Sequence, residues 1–251
     1  MLTPMAPIAR TDTTVLALPA DCRRWLSTTG TDRRHAVIEQ AIPVDLQWWD
    51  DSVATFGVPG GPLQREGVGV GRIELSRGQV FAAAADLSEP AAVWRLLWLS
   101  MAWGTGSRRR QVHRRMRAAA ADPHRYVEAL TNATELSRTD PEKAYALLYP
   151  GDRTLIPFLG PAFFTKFLYF AGAGAPTHPS LILDSRVATA LHRAGWTSLG
   201  TRGGWPAETY RHYTELLARW ADECALEQQG SGTDVLERWL FDHGATRRSA
   251  R

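Results

Sequence analysis

Leu155-Ile156-Pro157-Phe158-Leu159-Gly160-Pro161-Ala162-Phe163-Phe164-Thr165-Lys166-Phe167-Leu168-Tyr169-Phe170-Ala171, followed after a glycine- and proline-rich loop by Leu181-Ile182-Leu183-Asp184-Ser185-Arg186-Val187, is the stretch whose reading decides the fold. It predicts a short helix, a tight turn at Leu159-Gly160-Pro161 and a second helix in which Lys166 is the only charged side chain among aromatic and aliphatic neighbours. Desolvating an amine in such surroundings either lowers its pKa or demands a carboxylate, and the next acidic residue along the chain is Asp184. The chain contains only two lysines, Lys143 and Lys166, and uses arginine wherever else it needs a cation. Arginine cannot give up its proton, whereas a desolvated lysine becomes a neutral nucleophile. Lys166 is therefore the first catalytic candidate. Lys143, on a polar helix face, is its internal control.

Asp184 precedes a helix that ends at Gly195, so it is placed as an N-cap, where backbone amides favour the ionised carboxylate. A carboxylate held rigidly in this way also stabilises a developing positive charge. The amides around Gly160, Pro161 and Ala162 open a helix and suit a phosphate without side-chain charge.

These residues reach a resemblance. A hairpin with a lysine early in its second helix, then an aspartate starting a further helix 18 residues later, resembles the helix-hairpin-helix superfamily of DNA glycosylases, in particular the 8-oxoguanine glycosylase branch and its compact all-helical relatives. The family's common hairpin carries two glycines just before the lysine, where this chain has Gly160-Pro161-Ala162-Phe163-Phe164. The resemblance implies a mostly α-helical, helix-hairpin-helix glycosylase-like fold with two helical lobes flanking a cleft. It further implies that Lys166 attacks the sugar carbon as the base leaves, that Asp184 stabilises the charge that develops, and that an imine left at C1′ permits strand scission by β-elimination. Oxidised guanine as the base is suggested by the resemblance alone. The implied partner is double-stranded DNA carrying a damaged or modified base, with no cofactor and no metal.

With 251 residues the chain is long enough for one large core or two small lobes, expected as a single helical domain over 15–244 between loose tails at 1–14 and 245–251. A net charge of +3 with a pI near 9.1 permits a polyanionic partner without proving one. Cys22 and Cys224, far apart and outside any metal-ligand spacing, suggest neither a disulfide framework nor a zinc site and point to a reducing cytoplasm. The first residues lack the pattern of a signal peptide, and no apolar run is long enough to span a membrane. A monomer is the expected form.

Along the chain, helices are expected from Leu18, over Thr31–Ala41, and from Val44 through Trp48 and Trp49 to Gly57, with a loop over 57–71. Adjacent tryptophans on a helix cannot both face one pocket, so at least one belongs to the core. Ser76 starts a helix. Glu89-Pro90 opens an apolar one that should be central and end at Gly104-Thr105-Gly106-Ser107. Ser107 then caps a basic helix, Arg108 to Arg117, in which six of ten residues are arginine. Such density attracts phosphates, although a charge run is often only a solvated face. Arg108, Arg109, Arg110 and Arg114 are the DNA-contact candidates, and His113 is given no chemistry. By the same resemblance, the turn before this helix enters the duplex, with Thr105 or Gln111 probing the gap. Trp103, Tyr210 and Tyr213 are the aromatics offered for a base pocket, with core packing the commoner fate of each. Two other functions stay open: recognition of modified DNA or DNA ends without turnover, as in antiviral defence, and a helical regulator using 108–117 against a protein partner.

Overall fold

The computed structural model describes residues 13–30 and 32–245, so the tails expected at either end lie outside the described residues except for 13, 14 and 245. The chain is mostly helical. In order it forms α1 (Ala20–Trp25), β1 (Ala41–Asp45), α2 (Leu46–Phe56), β2 (Arg72–Ser76), α3 (Arg77–Ala82), α4 (Pro90–Thr105), α5 (Val112–Ala120), α6 (Pro123–Leu136), α7 (Pro141–Leu148), α8 (Pro161–Phe170), α9 (Ser185–Arg193), α10 (Ala207–Glu223) and α11 (Asp234–His243). None of the described helices is long and apolar enough to cross a membrane.

The helix starts follow local chemistry. Asp45, Ser76, Asp122, Asp140 and Asp184 each accept a backbone N–H with the side chain, and Ser76 and Gln79 complete a reciprocal capping box. Pro90, Pro123, Pro141 and Pro161 stand at first helical positions, where the missing N–H costs nothing. Gly57 ends α2 in the left-handed conformation.

Helix α4 is the spine: ten residues from Val93 to Trp103 are buried, and it packs on α8, α6, α3 and β1. An all-round apolar sequence has this fate, since no face of it favours water. Helix α7 bridges α6, α8 and α10, while α9 packs against α11. The buried apolar side chains form one connected cluster running from Leu18 to Leu240.

Three expectations are corrected. The helix expected over Thr31–Ala41 is a single wide turn at Arg34–Ile38, after which the chain extends into β1. This strand pairs antiparallel with β2, Val44 opposite Ile73. Pro43 is tolerated because the sheet has only two strands and both have a free edge. The first limb of the hairpin is not a helix: residues 153–160 are irregular, with Leu159 N–H donating to Ile156 O to close a turn. Pro157 biases Ile156 away from the α region, and Phe158 is left-handed at φ 69°. Finally, Ser107 caps nothing. A 3-10 turn occupies Gly106–Arg108, Arg109 and Gln111 are left-handed, and α5 begins at Val112. Of the four arginines offered for DNA contact, only Arg114 therefore lies in the α-helix.

A buried polar network ties the two ends of the chain to α8. Arg77 Nη1 donates to Glu237 Oε2 at 2.8 Å and to Tyr169 Oη at 3.0 Å, and its Nε donates to Gln40 Oε1. Tyr169 Oη donates in turn to Asp234 Oδ2, which Arg33 holds in a two-pronged ion pair.

Candidate active site at Lys166 and Asp184

Helix α8 carries Phe164, Phe167, Leu168 and Phe170 into the core, and Lys166 is buried with them at 5 % exposure. The sequence put an amine into an apolar helix, and the fold supplies a carboxylate for it. Lys166 Nζ donates to Ala162 O at 2.6 Å and lies 3.3 Å from Asp184 Oδ2. Asp184 divides its two oxygens: Oδ1 accepts the Arg186 and Val187 amides that start α9, and Oδ2 faces the amine. The cap thus orients the carboxylate and leaves one oxygen for Lys166.

The segment 181–183 that delivers Asp184 is anchored from behind. Tyr210 Oη donates to Leu181 O and accepts the Leu181 N–H, Tyr213 Oη donates to Ile182 O, and Thr165 Oγ1 bridges Leu183 to α8. Both tyrosines are fully buried, with hydroxyl pKa values pushed up by burial. The arrangement uses them as struts for the Asp184 segment. Trp103 is likewise buried, edge-on to Phe170 and under the Arg77 guanidinium.

Gly104 lies against the other side of Lys166. A Cβ there would meet Lys166 Cδ at 2.7 Å and Cε at 3.2 Å, so any side chain at 104 would displace the amine's stem. Beside it is a depression of about 310 Å³ lined by Gly104, Thr105, Arg108, Arg110, Gln111, Arg115 and Phe163. Phe163 is the shared wall: its ring centre is 5.8 Å from Lys166 Nζ and 3.9 Å from the Arg115 guanidinium. Thr105 lines this depression with its hydroxyl committed to Met101 O, one turn back in α4.

The basic stretch divides by environment. Arg109 is held inward, 2.8 Å from Asp45 Oδ2 and over the Trp48 ring at 4.4 Å, and Trp48 stacks on His113. Asp45 is kept below the ordinary carboxylate range chiefly by the Trp48 amide it accepts, with Arg109 and Arg72 adding to the effect. Trp49 is core. Arg108 and Arg110 line the depression, and Arg114 lies 5.9 Å from the Phe158 ring centre. At the α8 start, Gly160 is an N-cap without a side-chain acceptor, followed by Pro161 and Ala162. Lys143 is exposed and paired with Asp140.

Sequence reasoning missed Gly104, Arg115 and Phe158. Arg115 was within reach: Val112, Arg115, Met116 and Ala119 share one helical face, and all four are buried. Its Nε donates to Phe158 O and its Nη1 to Arg110 O, and burial pulls the guanidinium down to about 10. Cys22 is buried, with its thiol pushed up to about 12 by burial, and Cys224 is half-buried; both are free.

Neither the curated proteins nor the solved structures contain a match to this chain. A family model described as "Putative 8-oxoguanine DNA glycosylase OGG-like protein" matches residues 35–241, which takes in every side chain of the site just described. The chain belongs to the OGG-like DNA glycosylase family.

Proposed function

We propose that the protein excises a damaged base from duplex DNA, oxidised guanine foremost, with Lys166 as the nucleophile. The observation that carries this reading is the meeting of a buried primary amine with a helix-capping carboxylate, Nζ to Oδ2 at 3.3 Å. The base is extruded from the stack. As the N-glycosidic bond breaks, its electron pair leaves with the base and positive charge develops on the sugar. Asp184, fixed by the Arg186 and Val187 amides, stabilises that charge and is the carboxylate placed to take the proton that Lys166 must shed to attack C1′. Bond formation between Nζ and C1′, followed by ring opening, gives a Schiff base. The imine makes the C2′ proton acidic, so β-elimination and strand scission follow as a second activity.

Binding in this reading is mostly to the backbone. The free amides at the start of α8 around Gly160 and Ala162 meet one phosphate, and Arg108, Arg110 and Arg114 supply charge along the strand. Arg109 contributes less, since Asp45 already neutralises it.

The test is borohydride trapping on duplex DNA containing 8-oxoguanine or an abasic site. Wild type and Lys143→Gln should form a covalent complex, and Lys166→Gln should lose it by a factor on the order of 10³ or more. Equal trapping by Lys166→Gln would remove the nucleophile from this scheme.

A further inference from the structure

Six non-glycine residues among those described adopt positive φ, and four of them fall in just two segments: Arg109 (46°) and Gln111 (60°) before α5, and Asp152 (59°) and Phe158 (69°) before α8. Left-handed backbone is costly for bulky side chains and persists only where neighbours enforce it. Arg115 lies between the two segments. Its guanidinium joins the two segments through Arg110 O at 3.0 Å and Phe158 O at 2.8 Å, and Phe163 covers its face.

The outcome is an aromatic ring held out into water. Phe158 is 51 % exposed and is the only aromatic among the large exposed hydrophobics of the described residues. Ile156 and Leu159 on either side are buried, while Pro157 and Phe158 between them face water. Arg114 flanks the ring, while Arg108 and Arg110 line the depression next to Arg115. An exposed ring among arginines, beside an uncapped helix start, is the combination that binds nucleic acid: cations and amides for phosphates, and a π-face or wedge for bases.

We infer that Phe158 is a stacking residue that enters the duplex beside the extruded nucleotide, and that Arg115 is the positioning residue that holds it there. The inference rests on the glycosylase reading for the extruded nucleotide, and it adds the residue that occupies the vacated stack. Phe158 need not touch the reacting sugar. Its contribution belongs to opening a paired duplex and is not required when the damaged base is already unpaired.

The experiment compares 8-oxoguanine in a duplex with the same lesion in single-stranded DNA, scored by trapped product, for wild type, Phe158→Ala, Phe158→Trp and Arg115→Lys. Phe158→Ala should lower the duplex rate by about tenfold or more and change the single-strand rate by less than about threefold. Phe158→Trp should restore the duplex rate. Arg115→Lys, which cannot span both carbonyls, should shift the duplex-to-single-strand ratio in the same direction as Phe158→Ala. An unchanged duplex rate in Phe158→Ala, or an equal fall on both substrates, overturns the inference while leaving the Lys166 chemistry standing. If wild type traps nothing, fluorescence anisotropy on a duplex with a tetrahydrofuran abasic analogue separates the two ideas. A wild-type preference for that duplex over intact DNA, lost in Phe158→Ala, keeps Phe158 as a stacking residue after the catalytic reading has failed. No such preference in wild type overturns Phe158 as well.

Discussion

Helix α8 contributes to two buried cation–carboxylate clusters, and they are built to different standards. The Arg77–Glu237 pair, joined to α8 through Tyr169, is wholly sealed, closes at 2.8 Å and uses a guanidinium that also holds Gln40. The Lys166–Asp184 pair is slightly open, closes at 3.3 Å and uses an amine whose other partner is a carbonyl of its own helix. The first pair uses a cation that stays protonated through the pH range in which proteins fold: burial works against its charge, but Glu237 and Tyr169 together raise Arg77 further. The second uses the side chain that can lose its proton, spaced from its carboxylate rather than locked to it. Permanence suits a joint between chain ends. A proton that can leave suits a nucleophile.

The largest stability effect should separate them. Glu237→Ala strands Arg77 in the core and should cost about 3–5 kcal/mol. For a chain of this size that lowers Tm by roughly 6–20 °C in thermal unfolding followed by circular dichroism. Replacing both partners, as Arg77→Met with Glu237→Leu, should recover most of the loss, because the desolvation cost of both charges disappears together. Lys166→Met should cost about 1 kcal/mol or less, since the Asp184 carboxylate keeps its two cap amides when the amine is gone. Equal losses for Glu237→Ala and Lys166→Met would erase the distinction between joint and site.

A second effect falls on turnover. Asparagine caps a helix about as well as aspartate, so Asp184→Asn should keep the cap and lower Tm only through the lost carboxylate partner of Lys166, while slowing base release by a factor on the order of 10² to 10³. Asp184→Ala should show the same kinetic loss and, in addition, about 1 kcal/mol of instability. Single-turnover rates and thermal melts on the two variants make the comparison. If Asp184→Asn released base at the wild-type rate, the carboxylate would be a cap alone.

How much of this was legible follows the range of the interactions. That Lys166 and Asp184 would meet could be anticipated because the signals are local: a rare lysine in an apolar helix, and an aspartate followed by a helix whose first amides it caps. The same grammar located Ser76, Asp122 and Asp140, whose capping partners are three residues away. Where the deciding partner is distant, the reading failed. Strand β1 extends because Arg72–Ser76 pairs with it, and Arg109 leaves the expected helix for Asp45, 64 residues earlier in sequence. The destination of Arg115 depends on the carbonyl of Phe158, 43 residues on, though its shared face with Val112 and Met116 was visible in the sequence. Nothing local distinguishes Arg77 from the other arginines, because its burial is defined by Glu237, 160 residues away.

A last effect concerns a third buried titratable group, one that packs against α8 from the loop that follows it and has no carboxylate partner. His178 is 8 % exposed, and its Nε2 donates to Leu168 O at 2.9 Å, which fixes the neutral tautomer with the proton on Nε2. Burial pulls its pKa down from the ordinary 6.5 to about 4. Its ring fills the space over Gly172, where a Cβ would meet His178 Cγ at 2.2 Å, so it cannot swing to water without repacking. The unfolded chain therefore binds a proton that the folded chain refuses between pH 6.5 and about 4. Stability rises with pH wherever the unfolded state holds more protons, so this contribution is complete above pH 6.5 and is lost as pH falls towards 4, at most about 3 kcal/mol in all. The carboxylates titrate in part of the same window, and subtracting the profile of His178→Asn isolates the histidine. The variant should be less stable than wild type at pH 7 and converge with it by pH 4, read from urea midpoints across that range. A constant gap would mean that the histidine gains its proton without unfolding. Neutral burial would then be a weaker anchor for α8 than the Arg77–Glu237 joint at neutral pH, although that joint also weakens in acid, since burial raises the Glu237 carboxyl above its ordinary value.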